Sequence, residues 1–271
     1  MIIKVLKVQL QAAGAAFQLL TRFPVPVVIP FTPEMLARSV VYFPLVGAVI
    51  GGIVGGAGWL LDGPVPPMPA AVILLFLWLA LSGGLHMDGL MDTADGVLSY
   101  RSRERMLEIM KDSRVGAMGV LAAVLVLFFK FSVLFALMDT EKTLDWRFAM
   151  PVTMLAFAWS RLWIVIAMNG WPLARPDEGM ASLFKAVSIR HAAWAIGLQL
   201  LLIAAVLLAV SGLADEAGLL LLTQAGITIA AGSLLAVWLT RKLGGLTGDT
   251  YGAMTELIES ILLFSLMLVL V

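Results

Sequence analysis

His86-Met87-Asp88-Gly89-Leu90-Met91-Asp92-Thr93-Ala94-Asp95-Gly96 sets three carboxylates within eight residues, directly after a long apolar run. Carboxylates at membrane depth or at its edge are costly and need a counter-charge. Asp88 and Asp92 are four apart, and Asp92 and Asp95 three apart. On a helix all three would share one face, with neighbouring Cβ atoms about 5–6 Å apart. Like charges that close repel unless a cation sits between them. Oxygen-only ligation suits Mg²⁺, which takes a few carboxylates together with substrate phosphates. A divalent-metal site for phosphate chemistry, with Asp88, Asp92 and Asp95 as ligands, is therefore the first expectation. His86 is a candidate general base, although a lone histidine at a helix end equally serves as a hydrogen-bonding cap.

A second polar cluster is Gly244-Gly245-Leu246-Thr247-Gly248-Asp249-Thr250-Tyr251-Gly252, followed by Glu256 and Glu259. Asp249 and Glu256 are seven apart, two turns along one helical face. The preceding glycines let backbone N–H groups turn toward an anion at a helix start. The plainer reading is a glycine-rich turn whose Asp249 caps the last span. Glu256 and Glu259 weigh against it, because carboxylates entering an apolar span seldom serve as caps.

Cations complete the set. Arg101 to Arg114 holds an apolar stripe of Met106, Leu107, Ile109 and Met110, which reads as a surface helix along the bilayer. Arg101, Arg103 and Arg105 fit a solvated face. Lys111 and Arg114 come just before Gly116, where they could clamp a diphosphate. Lys130 and Arg161 sit inside apolar segments, where they either pair with a structural carboxylate or hold substrate phosphate.

These residues need a membrane bundle to position them. The chain is 61% hydrophobic and 13% charged over 271 residues, against roughly 45–50% and about 25% in soluble domains. It is therefore an integral membrane protein. With no cysteine, thiolate metal sites, disulfides and thiol catalysis are excluded, and a formal net charge of zero gives no case for nucleic acid. The expected fold is all-α, a single polytopic domain over 1–271. Spans fall at about 40–61, 69–85, 118–138, 148–169, 192–212, 217–239 and 252–271. Val5 to Leu20, interrupted by Gln9, Gln11 and Gln18, reads as an interfacial or half-inserted helix; a cleaved signal peptide is the rival that those glutamines disfavour. Lys and Arg concentrate on the side of the N-terminus, leaving Lys142 and Arg147 for the outer loops, so both polar clusters are expected to be cytoplasmic. Gly47, Gly51, Gly52, Gly55, Gly56 and Gly58 in the first span favour close helix packing.

The two clusters, with the Arg103–Gly116 run containing Lys111-Asp112-Ser113-Arg114, closely resemble the cobalamin synthase family, adenosylcobinamide-GDP ribazoletransferase. Thr21-Arg22-Phe23-Pro24-Val25-Pro26, Phe43-Pro44-Leu45-Val46-Gly47, Ser160-Arg161 and Gly244-Gly245-Leu246-Thr247-Gly248-Asp249 are similar too, in the family's order and over nearly the whole chain. The loop Trp171–Ser188 carries the least likeness. The resemblance implies an enzyme of the cytoplasmic membrane of a prokaryote. There the 5′ hydroxyl or 5′-phosphate oxygen of α-ribazole (phosphate) attacks the cobinamide-linked phosphorus of adenosylcobinamide-GDP, and GMP leaves. It implies Mg²⁺ on Asp88, Asp92 and Asp95, with Asp249, Glu256 or His86 in catalysis. Lys111, Arg114, Arg161, Arg22 and Lys130 would bind substrate, and other enzymes of the pathway are possible partners at the same face.

Two rivals differ in class. CDP-alcohol phosphotransferases do similar chemistry, but their Asp-Gly-x-x-Ala-Arg signature fails here, where Asp88-Gly89-Leu90-Met91 is followed by Asp92-Thr93. A cation-coupled transporter would hold acidic residues near the midplane between inverted repeats, and no such repeat is evident.

Overall fold

In the computed structural model, residues 2–139, 146–210 and 214–270 are described. They form eleven α-helices in chain order: α1 Ile2–Leu20, α2 Pro33–Ser39, α3 Phe43–Leu61, α4 Pro67–Ser82, α5 Leu85–Val97, α6 Arg103–Ile109, α7 Ala117–Met138, α8 Trp146–Gly170, α9 Ile189–Ala209, α10 Ala214–Leu243 and α11 Gly248–Leu270. Short 3₁₀ turns at Val40–Tyr42 and Met180–Phe184 complete them. Lys142, expected in an outer loop, lies outside the described residues, as do 211–212 and 271 at the ends of two expected spans.

Among the described residues six helices are long and apolar enough to cross a membrane: Pro33–Leu61 taken as one, α7, α8, α9, Gly218–Leu243 and α11. The seventh expected span is different in kind. α4 has 16 residues, about 24 Å at 1.5 Å per residue, short of the ~30 Å hydrocarbon core. The chain then turns through 87° into α5 rather than continuing outward. Gly83 and Gly84 make that turn with φ of +64° and +72°, a left-handed pair that side-chain-bearing residues resist. α1 is not among the spanning helices; Ala12, Ala15, Ala16 and Leu20 bury one side of it, while Ile3, Val5, Leu6 and Leu10 stay exposed.

The bundle is built around α8, which α3 meets at close range. Gly51 and Gly55 bring the α3 backbone against α8: a Cβ on Gly51 would lie 2.8 Å from the Thr153 carbonyl oxygen, and one on Gly55 3.2 Å from the Met150 Cα. Small residues are how membrane helices gain packing without a hydrophobic drive between them. The lipid side is apolar in turn, with Leu121, Leu125 and Phe128 of α7 exposed.

α6 is an amphipathic turn of seven residues, capped by the Ser102 hydroxyl, which accepts the Arg105 N–H. Its Met106 and the following Met110 pack under α5 around Gly96. This places α5, α6, the loop 171–188 and the start of α11 at one end of the bundle.

Candidate active site at one end of the bundle

Two glycines bring the acidic clusters together. Gly89 of α5 lies on the α11 backbone, where a Cβ would stand 2.7 Å from the Asp249 carbonyl oxygen. Gly252 of α11 answers it, with a Cβ position 3.1 Å from the His86 carbonyl oxygen and 3.4 Å from the Gly89 Cα. Backbone-to-backbone crossing at this point sets Asp88 and Asp92 beside Asp249. Gly89→Val should therefore separate the clusters without touching a charged group. A shift of about 1 Å in such a site costs on the order of 100-fold in turnover, and steady-state assay of the variant beside its circular dichroism checks this; unchanged turnover would show that the crossing does not set the site.

Asp88 is exposed and Asp92 half-buried, and among the described residues neither takes a hydrogen bond or an ion pair. Asp92 faces the like charges of Asp88, Asp249 and Asp95, with Arg175 as the opposing charge. Asp95 is turned elsewhere. Its two carboxylate oxygens accept the backbone N–H groups of Gly116 and Gly119, each at 2.7 Å. Gly116 is the N-cap of α7 and has no side chain to cap with, so Asp95 supplies the cap from α5 and meets the positive end of the helix. The expected three-carboxylate cage is corrected accordingly: among the described residues no group of three Asp, Glu or His converges on one point. What remains on the open face is a pair, Asp88 and Asp92, with Asp249 opposite.

Asp249 is not the cap of α11. Thr247 and Thr250 cap it reciprocally: the Thr247 hydroxyl accepts the Thr250 N–H at 3.2 Å, and the Thr250 hydroxyl accepts the Thr247 N–H at 2.8 Å. Asp249 is thereby free for other work. Its Oδ2 accepts from the Arg175 guanidinium at 3.0 Å and from the Thr247 hydroxyl at 3.2 Å, and among the described residues Oδ1 takes no hydrogen bond.

Arg175 carries no motif of its own in the sequence and lies in the loop of least likeness. The loop is stitched to the α10–α11 turn: Leu246 N–H donates to the Pro172 carbonyl and Ala174 N–H to the Leu246 carbonyl, each at 2.8 Å. That short parallel bridge, Leu173 with Leu246, is what delivers Arg175 to Asp249.

Lys111 lines the same groove as Arg175, Thr247 and Asp249, and is ion-paired with exposed Glu178. Exposed pairs of this type are worth little and exchange readily. Arg114 pairs with its neighbour Asp112, whose carboxyl the Arg114 hydrogen bonds hold down at about 2. The Arg22 backbone N–H donates to the Leu81 carbonyl at 2.9 Å, and its side chain lies across Gly83. It braces the turn that aims α5.

Lys130, Arg161 and Glu256 are also placed otherwise than expected. Lys130 of α7 pairs with Glu256, Arg161 of α8 pairs with Glu259, and Lys130 reaches Glu259 at 3.9 Å. All four are buried. The Ser160 hydroxyl donates to Glu259 at 3.1 Å, and Lys130 lies 3.8 Å from the Trp78 ring centroid. Two cations and two carboxylates neutralise each other inside the bundle. His86 is buried at the edge of this network, its Nδ1 3.5 Å from Arg161 Nη2.

A cavity opens beside Asp88 and Asp249, walled by α1, α5, α8, the Met180–Phe184 turn and α11. A groove continues from Asp249 past Arg175 to Lys111 and Glu178. One end of the bundle thus offers an apolar recess, uncommitted carboxylates at its mouth and cations beyond them.

The family model described as cobalamin-5-phosphate synthase matches residues 12–267. Curated relatives named adenosylcobinamide-GDP ribazoletransferase include one from Desulfitobacterium hafniense, 41% identical over 92% of this chain and 93% of its own length. One from Desulforamulus reducens is 39% identical over 89% and 92% respectively. A third, from Roseiflexus sp., is 38% identical over 94% and 88%. No solved structure matches this chain.

Proposed function

The chain belongs to the cobalamin-5-phosphate synthase family, and on that premise we propose how it carries out the adenosylcobinamide-GDP ribazoletransferase reaction, the assembly of the cobalamin nucleotide loop. A family named for making a 5-phosphate leaves that phosphate on its product. The attacking oxygen is then a ribose hydroxyl other than the 5′ oxygen, which corrects the attack by the 5′ oxygen expected from the sequence. This hydroxyl oxygen forms a bond to the cobinamide-side phosphorus of the diphosphate. The bond from that phosphorus to the bridging oxygen breaks, and GMP departs with the electron pair.

Asp249 Oδ1 takes the proton of the attacking hydroxyl, while Arg175 and Thr247 hold the other oxygen and keep the carboxylate aimed. Arg175 and Lys111 hold the diphosphate along the groove. Asp88 and Asp92 would hold Mg²⁺. The fit rests on two observations: both carboxylates are uncommitted, and Arg175 alone does not balance them and Asp249. Mg²⁺ ordinarily uses one or two protein carboxylates and completes its shell with water and substrate phosphates, so the lack of a three-residue cage agrees with it. When bound, the ion supplies charge neutralisation on the diphosphate. The concentration of Lys and Arg at this end of the bundle supports a cytoplasmic site in the inner membrane.

The observation that carries the reading is the meeting of Asp88 and Asp92 with the Asp249–Arg175 pair at the mouth of one cavity. The test is GMP release by the purified protein in lipid, given adenosylcobinamide-GDP and α-ribazole 5′-phosphate. Release that stops with a chelator and returns with added Mg²⁺ is expected. Release indifferent to the chelator would remove the metal from the mechanism, and no release from folded protein would remove the reaction.

A further inference from the structure

The cavity beside Asp88 and Asp249 has walls that the phosphate chemistry does not use. Leu19, Leu20, Phe43, Ile164, Met168 and Phe184 line it, with Phe43 and Phe184 meeting edge to face, ring centroids 6.2 Å apart. Its volume is about 170 Å³. An apolar cavity of about 150 Å³ takes a benzene-sized ring, and a corrin is far too large for this one.

Two polar groups on the walls lack partners. His86 is 3% exposed and Tyr251 4%, both line the cavity, and among the described residues the His86 Nε2 and the Tyr251 hydroxyl have no hydrogen-bond partner. Buried polar atoms of native proteins are nearly always satisfied, so each such orphan asks for an explanation. The His86 tautomer follows from its neighbour. Arginine has donors only, so the Nδ1 facing Arg161 accepts and carries no proton. The ring hydrogen is on Nε2, and the orphan is a donor. His86 is thus placed to donate, not to act as the general base expected from the sequence.

From this we infer that the cavity seats the base of the acceptor nucleoside, with the His86 Nε2–H donating to a ring nitrogen of that base. The inference rests on the ribazoletransferase reading above. A benzimidazole nucleoside offers a flat, fused apolar ring with one free nitrogen acceptor and no donor, which suits aromatic and aliphatic walls into which the His86 Nε2–H donates. Guanine, the other base in the reaction, is polar along its edges, and apolar walls would leave several of its groups unpaired at a cost. Seating the base here also brings its ribose to the mouth, where Asp88 and Asp249 stand. His86 is then a specificity-determining residue whose ring orientation is held by Arg161, so the buried ion network reaches the substrate through one hydrogen bond.

The test is calorimetric binding of α-ribazole and, separately, of GMP to the full-length protein in lipid nanodiscs, without metal or corrinoid. Three variants are compared with the wild type: Met168→Trp fills the recess, Phe184→Ala removes a wall, and His86→Phe removes the donor while keeping the ring. Each should weaken α-ribazole about 10-fold or more, the loss expected for an unpaired buried polar atom or a lost aromatic contact, and leave GMP unchanged. Met168→Trp and Phe184→Ala change volume in opposite directions, so a folding failure in one leaves the other to decide. Weakened GMP with unchanged α-ribazole would assign the cavity to guanosine and overturn the inference, as would no change in either ligand. Turnover of the wild type is measured alongside: α-ribazole binding without GMP release would sink the transferase reading and leave the cavity assignment standing.

Discussion

Asp92→Asn should cost about 10³-fold in GMP release while making the protein no less stable, and measurably more stable if anything. The residue combines partial burial with the like charges of Asp88, Asp249 and Asp95, and among the described residues it takes no hydrogen bond in return. Removing its charge therefore relieves repulsion in the folded state. On the proposed mechanism the same charge would hold a cation against the diphosphate, a stabilisation worth several kcal/mol of transition-state charge; about 4 kcal/mol is roughly 10³-fold in rate. Asp95→Asn should behave in the opposite way. It removes the charge that caps α7 at Gly116 and Gly119, costing about 1–2 kcal/mol of stability, and leaves a larger share of turnover. Thermal unfolding and GMP release, measured on both variants, separate a ligand from a cap. If Asp92→Asn lost stability and kept activity, the two roles would have to be exchanged.

That contrast marks where the sequence could be read and where it could not. Hydropathy located the six spanning helices, because a 20-residue apolar window needs no tertiary context. The short seventh segment was also visible, but not its 87° turn, which depends on two adjacent glycines with positive φ and on Arg22 lying over one of them. The spacing of Asp88, Asp92 and Asp95 correctly put them on one helix. Spacing alone says nothing of what faces the helix, and α7 arriving with an uncapped glycine took Asp95 out of the set. The reciprocal Thr247–Thr250 cap was written in the sequence beside Asp249, and it is what frees that aspartate. Arg175 carried almost no local signal, since its position depends on a two-residue bridge between loops distant in sequence.

Glu259→Gln should strongly destabilise the protein. Lys130, Arg161, Glu256 and Glu259 are each buried, and their charges balance two against two. Removing one partner strands a buried charge, at about 3–5 kcal/mol; Glu259 is the member that touches both cations and also takes the Ser160 hydrogen bond. The unfolding midpoint in detergent should fall steeply. Arg161→Met combined with Glu259→Leu should recover much of the loss, because exchanging a buried pair for apolar groups of similar size is often neutral. Activity should not recover with stability, since the double variant no longer fixes the His86 ring through Arg161. The sequence alone allowed a different outcome, in which Arg161 holds substrate phosphate. In that case Arg161→Met would lower turnover with the midpoint unchanged, and Glu259→Gln would be nearly silent. The two readings differ in stability, a steep fall of the midpoint against no change, so one pair of melting curves decides whether these charges build the bundle or bind the diphosphate.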